Sequence, residues 1–429
     1  MRILAIETSC DDTSIAILEA EGEKQLRFKV LASVVSSQVK VHRKWGGIVP
    51  TLAKREHQKN LVPVIKMALK KAKLLKTQNI KSKVSDRTIS EILDREELLL
   101  PKLNKFLGDF KKPAIDLISV TTGPGLEPAL WVGVNFAKAL AYFWKLPIIP
   151  VNHIEAHILA NFIDKSKISN LPPSLKSFDS ESLRLDELRR TGKSEIFPAI
   201  CLIVSGGHTL LILMENIGKY KVLGETRDDA AGECFDKVAR ILGLGYPGGP
   251  AIAAEAAKLK SQISNLKITL PRPMIHAKNY DFSFSGLKTA VLYKVRDDGK
   301  KSKDKNYIRE MCREVQQAII DVLVLKTVKA ISQYQAKNVL IGGGVAANSE
   351  LRKQLYEKVC KEMPNTGCFI PEKQYCTDNA AMTAVAGYFR AIVQKKHANW
   401  QEIEAQGNLD VDKLDSLANP APLGRGLKE

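Results

Sequence analysis

Two histidines one helical turn apart carry the clearest chemical signal in this sequence. His153 and His157 follow a short apolar run, Ile148 to Val151, which predicts a buried strand, and their spacing places both imidazoles on one face of the following helix. The whole chain has only seven histidines. A pair at this spacing favours a metal site with a third ligand from elsewhere and an open coordination position. Two surface or capping histidines are the alternative.

Two acidic residues help to decide whether the histidine pair belongs to a metal site and which kind of site it would be. Asp378 precedes the apolar helix pattern AAMTAVAG, where it is either the helix N-cap or the carboxylate that completes the two-histidine set. Glu155 lies two residues after His153 and points away from the face that the histidines share. The sequence therefore lacks the HExxH spacing in which a glutamate activates water for a zinc protease, and a metalloprotease is disfavoured.

Glycine-bearing turns after strand patterns predict a nucleotide or phosphate site. Ser205 to Gly207 separates two apolar runs, and the triplet Gly342 to Gly344 joins an apolar strand to a helix that begins near Asn348. Backbone N–H groups at such turns and helix N-termini suit a phosphate. The triplet has neither the lysine of a P-loop nor GxGxxG spacing, which disfavours both of those sites. A further helix pattern carries Asp236, with Gly248 and Gly249 in the loop beyond it.

An acidic turn near the start of the chain is another candidate contact for a phosphate or its metal ion. Residues 2–18 predict a strand, a polar turn that contains Asp11, and a second strand. Small hydroxyl and acidic residues in such a turn can contact a phosphate or its metal ion, whereas an ordinary hairpin turn is the alternative. The same strand, turn, strand pattern recurs at 199–214, which indicates two duplicated lobes that face one cleft.

The charge of the chain favours a polyanionic partner. Its 429 residues contain 65 Lys and Arg against 47 Asp and Glu, a net charge of +18. Nucleic acid is the obvious partner for such an excess, although part of the lysine serves only to solvate the surface. The lysine-rich outer face of the helix pattern around Leu61 to Leu69 is a candidate nucleic-acid surface.

Cysteine usage and hydropathy indicate a cytoplasmic protein. The seven cysteines are an odd number without CxxC spacing, which argues for a reducing compartment and against a disulfide scaffold. No apolar run approaches the ~20 residues that span a bilayer, and the chain enters a strand pattern at Arg2 without a presequence. Membrane insertion, export and organelle import are therefore not supported.

Composition shifts divide the chain into lobes, insertions and a tail. A βαβ pattern between Ile115 and His153 predicts that part of the sheet is parallel. Residues 72–112, which we expect to be partly helical and mobile, and residues 164–195 are charged and poor in aromatics, so they predict two inserted excursions. We expect an N-terminal lobe over 1–150, a C-terminal lobe over 151–395 with the metal and nucleotide motifs, and a polar, disordered tail over 396–429.

Ten sequence blocks resemble the TsaD family, the tRNA threonylcarbamoyladenosine transferases, and more closely its bacterial branch. They occur in the family's order and cover the chain from its first residue to about 395, apart from the two insertions. The blocks are ETSCDDTSIAIL, HRKWGGIVPTLAKREH, TGPGLEPALWVG, VNHIEAH, LIVSGGHT, DDAAGECFDKVA, YPGGP, DFSFSGLKTA, GGGVAANSELR and YCTDNAAM. Thr51 departs from the pattern, because many relatives have glutamate there.

The resemblance implies a fold and an activity. The fold would be the two-lobed, actin-like ATPase (ASKHA) fold, an α/β architecture with duplicated β-sheet lobes facing a nucleotide cleft. The activity would be transfer of L-threonylcarbamoyl from threonylcarbamoyl-AMP to N6 of adenosine 37 in tRNAs reading codons that begin with adenine, with release of AMP. The implied partners are the tRNA anticodon stem-loop, a silent TsaB-like paralogue and a TsaE-like ATPase.

The resemblance also implies roles for individual residues. The ligands of one divalent metal ion, iron with zinc or magnesium as alternatives, would be His153, His157 and Asp378. Asp11 matches an acidic residue important for activity, and whether it accepts a proton or positions the acceptor stays open. The adenylate site would comprise a strand end, a glycine turn and three further residues, namely Ile203, Val204, Ser205, Gly206, Gly207, Asp236, Gly249 and Asn348.

Two further functions compete with the transferase besides the protease. A sugar-kinase-like phosphotransferase would share the fold but transfer the γ-phosphate of ATP. A catalytically silent subunit would also share it, but the presence of both histidines and Asp378 argues against this hypothesis, since a silent subunit needs no metal ligands.

Overall fold

The computed structural model describes residues 1–21, 27–79, 84–163, 196–258, 268–393 and 398–413. Its strands form two five-stranded sheets with the same topology. The first contains β1 (Arg2–Glu7), β2 (Asp12–Glu21), β3 (Arg27–Ser37), β4 (Leu117–Gly123) and β5 (Ile148–Asn152). The second contains β6 (Ala199–Val204), β7 (Thr209–Asn216), β8 (Lys219–Glu225), β9 (Asn338–Gly342) and β10 (Gly367–Phe369).

Strand order confirms the predicted duplication. The first sheet runs β3-β2-β1-β4-β5 and the second, in the corresponding order, runs β8-β7-β6-β9-β10. In each sheet the first three strands along the chain pair antiparallel, and the last two are parallel to the central strand. Two lobes with one shared topology form the α/β, actin-like architecture that the resemblance implies.

Helices cover the outer faces of both sheets and fill the space between them. The first lobe carries α1 (Val39–His42), α2 (Pro50–Lys71), α3 (Arg87–Ile92), α4 (Leu100–Asp109) and α5 (Glu127–Trp144). The middle of the molecule contains α6 (His153–Leu159) and α12 (Ala380–Ile392). The second lobe carries α7 (Ala231–Ile241), α8 (Gly248–Ala257), α9 (Ser285–Asp298), α10 (Lys305–Tyr334) and α11 (Ser349–Glu362).

Alternation along the central strands explains this layering. Ile3 and Ala5 of β1 pack inward with α6 and α12, whereas Leu4 and Ile6 pack outward with α2 and α5. The central hydrophobic cluster also contains Ile203 and other inward residues of the second sheet. Helices α6 and α12 are thus enclosed between the two sheets, and any residue at their ends faces the junction of the lobes.

The segment 72–112 is built into the first lobe. Leu99, Leu103, Phe106 and Leu107 are buried in the cluster formed by the outer face of the first sheet, α2 and α5. The expectation of a mobile excursion is therefore wrong for α4, because its apolar residues recur at helical spacing and the surrounding charges conceal them in the composition. The second predicted insertion, 164–195, lies outside the described residues.

The predicted tail is also packed over part of its length. Ile403, Ala405, Leu409 and Val411 are all buried. Gln406 N donates to the carbonyl of Thr122 at the end of β4 (2.8 Å). The expectation of disorder is therefore wrong for residues 398–413, because isolated apolar residues among polar ones find a surface on the first lobe. Residues 414–429 lie outside the described part of the chain.

In the described ranges, no helix combines the length and the apolarity needed to cross a bilayer.

Candidate active site

The helix that carries the two histidines begins where β5 ends. The side chain of Asn152 accepts hydrogen bonds from the backbone N–H groups of Ile154 (2.8 Å) and Glu155 (3.1 Å), so it caps α6 and makes His153 the first helical residue. His157 follows one turn later. Both rings are buried, with their centroids 4.6 Å apart. The spacing argument from the sequence is confirmed, because the two imidazoles share one face.

Asp378 reaches this pair from the far end of the chain. The helix N-cap is not Asp378 but Asn379, whose side chain accepts from Met382 N (3.1 Å). Asp378 Oδ1 lies 3.2 Å from His157 Nε2 and 3.5 Å from His153 Nε2. The three candidate ligand atoms all lie within 4.8 Å of one another. Two imidazole nitrogens and one carboxylate oxygen around a common point are a donor set for a divalent transition metal.

A second buried carboxylate supports this histidine pair. Glu7, at the end of β1, is fully buried, and its Oε2 lies 3.2 Å from His153 Nδ1. Glu7 also accepts hydrogen bonds from Ser9 N (2.6 Å) and Thr121 Oγ1 (2.5 Å). A carboxylate on the Nδ1 side of His153 leaves Nε2 for the ion. Sequence reasoning missed Glu7, although an acid in an otherwise apolar strand was an available signal.

The charges of these groups indicate a place for a cation. Burial alone would lower the pKa of His153, but the Glu7 and Asp378 carboxylates raise it to about 9. Burial and the neighbouring His153 lower the pKa of His157. Burial opposes ionisation of Asp378, yet the two histidines hold its pKa well below the ordinary range. The buried Glu7 carboxylate and the partly buried Asp378 carboxylate beside two imidazoles thus have excess negative charge, which a divalent ion among the three ligand atoms would neutralise.

Asp11 lies in the turn between β1 and β2 and faces the same cleft. Burial, followed by the charge of Asp378, raises the pKa of Asp11 to about 6, and Asp236 of the second lobe adds to this effect. Burial and the charge of Asp11 raise the pKa of Asp12 to about 7. The structure therefore brings together acidic groups that are far apart in sequence.

A buried histidine fixes the shape of the Asp11 turn. His57 of α2 contacts the carbonyl oxygen of Cys10 through Nε2 (3.0 Å) and the hydroxyl of Thr13 through Nδ1 (2.8 Å). Burial lowers the pKa of His57 to about 4, so the ring is neutral and donates from Nε2 while it accepts at Nδ1. Sequence reasoning did not single out His57.

The glycine turn of the second lobe is open. Ser205 Oγ accepts from His208 N (3.0 Å), which closes the turn after β6. Gly206 and Gly207 are exposed, and a Cβ at either position would meet no atom within 4 Å. Their backbone is therefore accessible to a ligand. The side chains of Ile203 and Val204 are buried, so these two residues contribute the position of the strand end and not a side-chain contact.

The triplet after β9 passes close to this strand end. Gly343 has φ +87°, and a Cβ there would lie 2.4 Å from the carbonyl oxygen of Val204. Only glycine fits this approach of one backbone to another. Five residues after Gly343, Asn348 caps α11 by accepting from Glu350 N (2.9 Å), and its amide donates to Gln316 (2.8 Å).

Asp236 holds the second glycine pair. Its Oδ1 accepts a hydrogen bond from Gly248 N (2.6 Å), at the start of α8. Burial raises the pKa of Asp236, while the backbone hydrogen bonds from Gly248 and Gly249 oppose that effect. The carboxylate therefore orders the backbone on which Gly249 lies.

A buried ion pair joins the two elements that carry the candidate ligands. Glu155, on the opposite face of α6 from the histidines, lies 3.2 Å from Arg390 of α12, and both side chains are fully buried. The hydroxyl of Tyr220 donates to the same carboxylate (3.2 Å). This contact ties α6 to α12, whose first turn follows Asp378.

Comparison with known proteins assigns the family. Residues 29–81, 96–179 and 185–385 match the model of TsaD, described as tRNA N6-adenosine threonylcarbamoyltransferase. A protein of that name from Thermosipho africanus is 41% identical over 411 residues, 96% of this chain and 100% of the relative. The Thermosipho melanesiensis protein is 42% identical over 388 residues, 90% of this chain and 94% of the relative.

More distant structures add nothing to this assignment. A structure of full-length HypF in the phosphate- and nucleotide-bound form covers 91% of this chain and 55% of that chain, at 11% identity and a TM-score of 0.45. The assignment rests instead on the family match over most of the chain and on relatives that are about as long as the chain itself. The protein therefore belongs to the TsaD family.

Proposed function

We propose that this protein transfers the L-threonylcarbamoyl group of threonylcarbamoyl-AMP to N6 of adenosine 37 in tRNAs reading codons that begin with adenine, and releases AMP. Membership of the TsaD family supports this reaction. The observation that carries it is the convergence of His153, His157 and Asp378 beside Asp11 in one cleft. This arrangement combines a cation site with an acidic group, as an acyl transfer to an amine requires.

His153, His157 and Asp378 hold one divalent metal ion in this proposal. The ion supplies positive charge that positions the donor and polarises its carbonyl group. Iron is the first candidate, because two imidazoles and one carboxylate with open positions suit Fe²⁺. Zinc accepts the same donors, whereas magnesium prefers oxygen ligands and is the weakest alternative.

Asp11 is the residue that we place at the acceptor amine. An exocyclic amine is a poor nucleophile and must lose a proton as it attacks the carbamoyl carbonyl, displaces AMP and becomes a urea nitrogen. With a pKa of about 6, Asp11 is largely ionised at neutral pH, yet basic enough to accept that proton. The alternative is that Asp11 only positions the adenine. His57 is the residue that holds the Asp11 turn in place for either task.

The donor's phosphate is placed at the open turn of Ser205, Gly206 and Gly207. The backbone N–H groups of such a turn are suitable donors to a phosphate oxygen. Asp236 and Asn348 act through the backbone that they order, at Gly249 and at the start of α11, because their own side chains already make hydrogen bonds. Ile203 and Val204 position the turn from beneath.

The partners and compartment follow from the same proposal. The basic chain binds the tRNA anticodon stem-loop, with exposed lysines of α2 such as Lys66 and Lys70 as candidate phosphate contacts. A TsaB-like paralogue and a TsaE-like ATPase are the protein partners that the family resemblance implies. Cys201, Cys234 and Cys312 are buried free thiols, which supports a reducing compartment such as the cytoplasm.

Reconstitution tests the proposed function. The protein is incubated with threonylcarbamoyl-AMP, its partners, Fe²⁺ and a tRNA that decodes codons beginning with adenine, and nucleosides are analysed by mass spectrometry. We expect threonylcarbamoyladenosine, which is lost in His153→Ala and in Asp378→Ala. Ile158→Val, a conservative change in the same helix at a residue that is not a candidate ligand, is the matched control for folding of that helix. Two results together would contradict the proposal and favour the kinase: no modified adenosine forms although the partners are active, and the γ-phosphate of ATP is transferred to a small molecule.

A further inference from the structure

Trp45 is an exposed aromatic residue without an assigned role. Its side chain is 67% exposed, more than any other large hydrophobic side chain in the described part of the chain. Arg43 and Lys44 precede it and are also exposed. An exposed indole costs free energy in water unless something covers it. An aromatic ring beside two cations is a combination that binds single-stranded nucleic acid, whose bases stack on the ring while its phosphates meet the charges.

The loop that carries Trp45 has a fixed shape. Residues Arg43–Trp45 form a single turn of 3₁₀ helix, and Gly46 follows at φ +64°. Two contacts with the second lobe hold it: Arg43 Nε donates to the carbonyl of Tyr246 (3.2 Å), and the Arg240 guanidinium donates to the carbonyl of Gly46. The indole is therefore presented on a rigid support, which lowers the entropy lost when a ligand binds.

The same loop is linked to the proposed acceptor site. His42, immediately before the loop, is buried and contacts the side chain of Gln38 (3.1 Å). The backbone N–H of Gln38 donates to the carbonyl of Asp11 (3.1 Å). Tyr246, whose carbonyl accepts the hydrogen bond from Arg43 of the loop, is also close to the acidic groups. Burial and the charges of Asp11 and Asp236 raise the pKa of Tyr246. Trp45 therefore lies at the rim of the cleft that contains Asp11.

We propose that the indole of Trp45 is a stacking platform for a base of the tRNA anticodon loop that neighbours the acceptor adenosine. The inference rests on the proposed function. An adenosine whose N6 reacts inside a cleft must leave the base stack of the loop. Its neighbour then loses one stacking surface, and the indole at the rim replaces it. Arg43 and Lys44 contact the phosphates on either side of that base.

Substitution of Trp45 tests the contact directly. The completely reconstituted system is titrated with a 17-nucleotide anticodon stem-loop RNA as the probe, and both binding and transfer are followed. Trp45→Leu is expected to raise the Kd and the KM for this RNA about 5- to 150-fold, the range measured when a base-stacking aromatic is removed. Trp45→Tyr, which keeps an aromatic face, is expected to retain most of the affinity. Metal content and affinity for threonylcarbamoyl-AMP stay unchanged.

A matched control separates this contact from a general loss of exposed aromatic surface. Tyr293 of α9 is 51% exposed and lies beside Arg296, whose guanidinium is 4.8 Å from its ring centroid. Tyr293 therefore resembles Trp45 in the exposure of its aromatic ring and in having a basic side chain nearby. Tyr293→Leu is expected to leave the Kd for the stem-loop unchanged. An equal loss of affinity in both variants would overturn the inference.

Removal of single bases from the RNA decides which contact is made. An abasic site at each loop position next to the acceptor adenosine is combined with wild-type protein and with Trp45→Leu in a double-mutant cycle. One abasic RNA is expected to bind wild type as weakly as the intact RNA binds Trp45→Leu, and to show no further loss with that variant. Additive losses at every position would overturn the proposal.

The outcomes also separate this inference from the proposed function. If wild type forms no modified adenosine, the proposed function fails. If wild type is active and Trp45→Leu binds the stem-loop equally well, only the stacking inference fails. Loss of association with a partner protein in Trp45→Leu, with unchanged affinity for RNA, would assign the indole to a protein interface and likewise overturn the inference.

Discussion

Among single residues, Glu7 shows how a buried group controls a site that it does not enter. Its carboxylate lies 3.2 Å from His153 Nδ1, on the side of the ring away from Asp378. A negative charge there favours the tautomer with the proton on Nδ1, which leaves the lone pair of Nε2 available on the side of Asp378, where the proposed ion would bind. Thr121 and Ser9 hold the carboxylate in turn. The orientation of His153 is therefore determined by β1 and β4 and not by α6 alone.

Glu7→Gln is expected to weaken metal binding about 10- to 100-fold, the usual effect of removing a carboxylate behind a ligating histidine. The amide keeps the size of the side chain but removes the charge. Metal affinity is measured by chelator competition, with metal content from mass spectrometry. Glu96→Gln is the matched control, because Glu96 is equally buried but contacts Gln58 and Lys54 of α2. Equal affinity in wild type and Glu7→Gln would contradict this account.

The activity is expected to fall as the pH drops below about 6, if Asp11 is a general base. Burial raises its pKa from 3.8 to about 6, so the carboxylate is ionised above that pH and protonated below it. In a plot of transfer rate against pH, Asp11→Asn is expected to abolish the fall below about pH 6. It is also expected to slow transfer by about 100- to 10,000-fold. Single-turnover transfer rates between pH 5 and 8 provide the measurement. A small loss with an unchanged profile would instead assign Asp11 to positioning, provided that metal content stays constant across the range.

At the scale of elements, the cleft depends on how α6 is held against α12. Helix α6 has only seven residues and carries two of the candidate ligands, and Asp378 precedes α12. The Glu155 to Arg390 ion pair and the hydroxyl of Tyr220 connect these helices from the side opposite the histidines. Ser14 of β2 accepts from Ala380 N (2.9 Å) and fixes the start of α12.

Arg390→Met is expected to destabilise the protein by about 3–5 kcal/mol, the usual effect of removing one partner from a buried ion pair. The double variant Glu155→Leu/Arg390→Met is expected to regain much of this stability, since apolar groups can replace such a pair. Denaturant unfolding measures the stability, and chelator competition measures metal affinity. We expect metal affinity to stay lower in the double variant. Full recovery of both properties would show that packing alone aligns the two helices.

The sequence predicts those parts of the site that depend on local spacing. The four-residue interval between His153 and His157 places both rings on one face, and the structure agrees. The third ligand cannot be derived in this way, because Asp378 is brought to the pair by packing between the sheets, and a capping role explained it equally well. The roles of Glu7 and His57 were not predicted for the same reason, because each contacts a residue that is distant in sequence. The sequence offered Asp378 as a helix cap or as the third ligand, and only the family resemblance favoured the second alternative.

Over the whole molecule, the last described residues close the structure around its first lobe. Residues 398–413 cover the end of β4, and the carbonyl of Leu409 accepts from the side chain of Asn152 (3.1 Å). Asn152 is also the cap of α6, so this contact reaches the helix of His153 and His157 from the opposite end of the sequence. The lobe boundaries near residues 150 and 395 stay a prediction, since α12 packs against strands of the first sheet.

Truncation after residue 397 is therefore expected to lower both thermal stability and metal affinity. It uncovers the surface on which Ile403, Leu409 and Val411 pack, at about 1.5–3 kcal/mol for each fully buried side chain, and removes the contact with Asn152. Thermal melts and chelator competition provide the two readouts. Truncation after residue 413 is the control, because it keeps every contact described above. Equal melting temperatures for the shorter form and the full chain would contradict this prediction.

Enclosure of α12 between the two sheets has a consequence for biosynthesis. The inner face of the first sheet begins at Arg2, yet the helix that covers it ends at Ile392. At about 5–20 residues per second, a ribosome takes roughly 20–80 s to make the chain in between. During that interval the nascent chain exposes apolar strands, so we expect it to need a chaperone. Because Asp378 emerges as late as α12, the three candidate ligands come together only when translation is nearly finished, and a product that terminates before Asp378 lacks one of them.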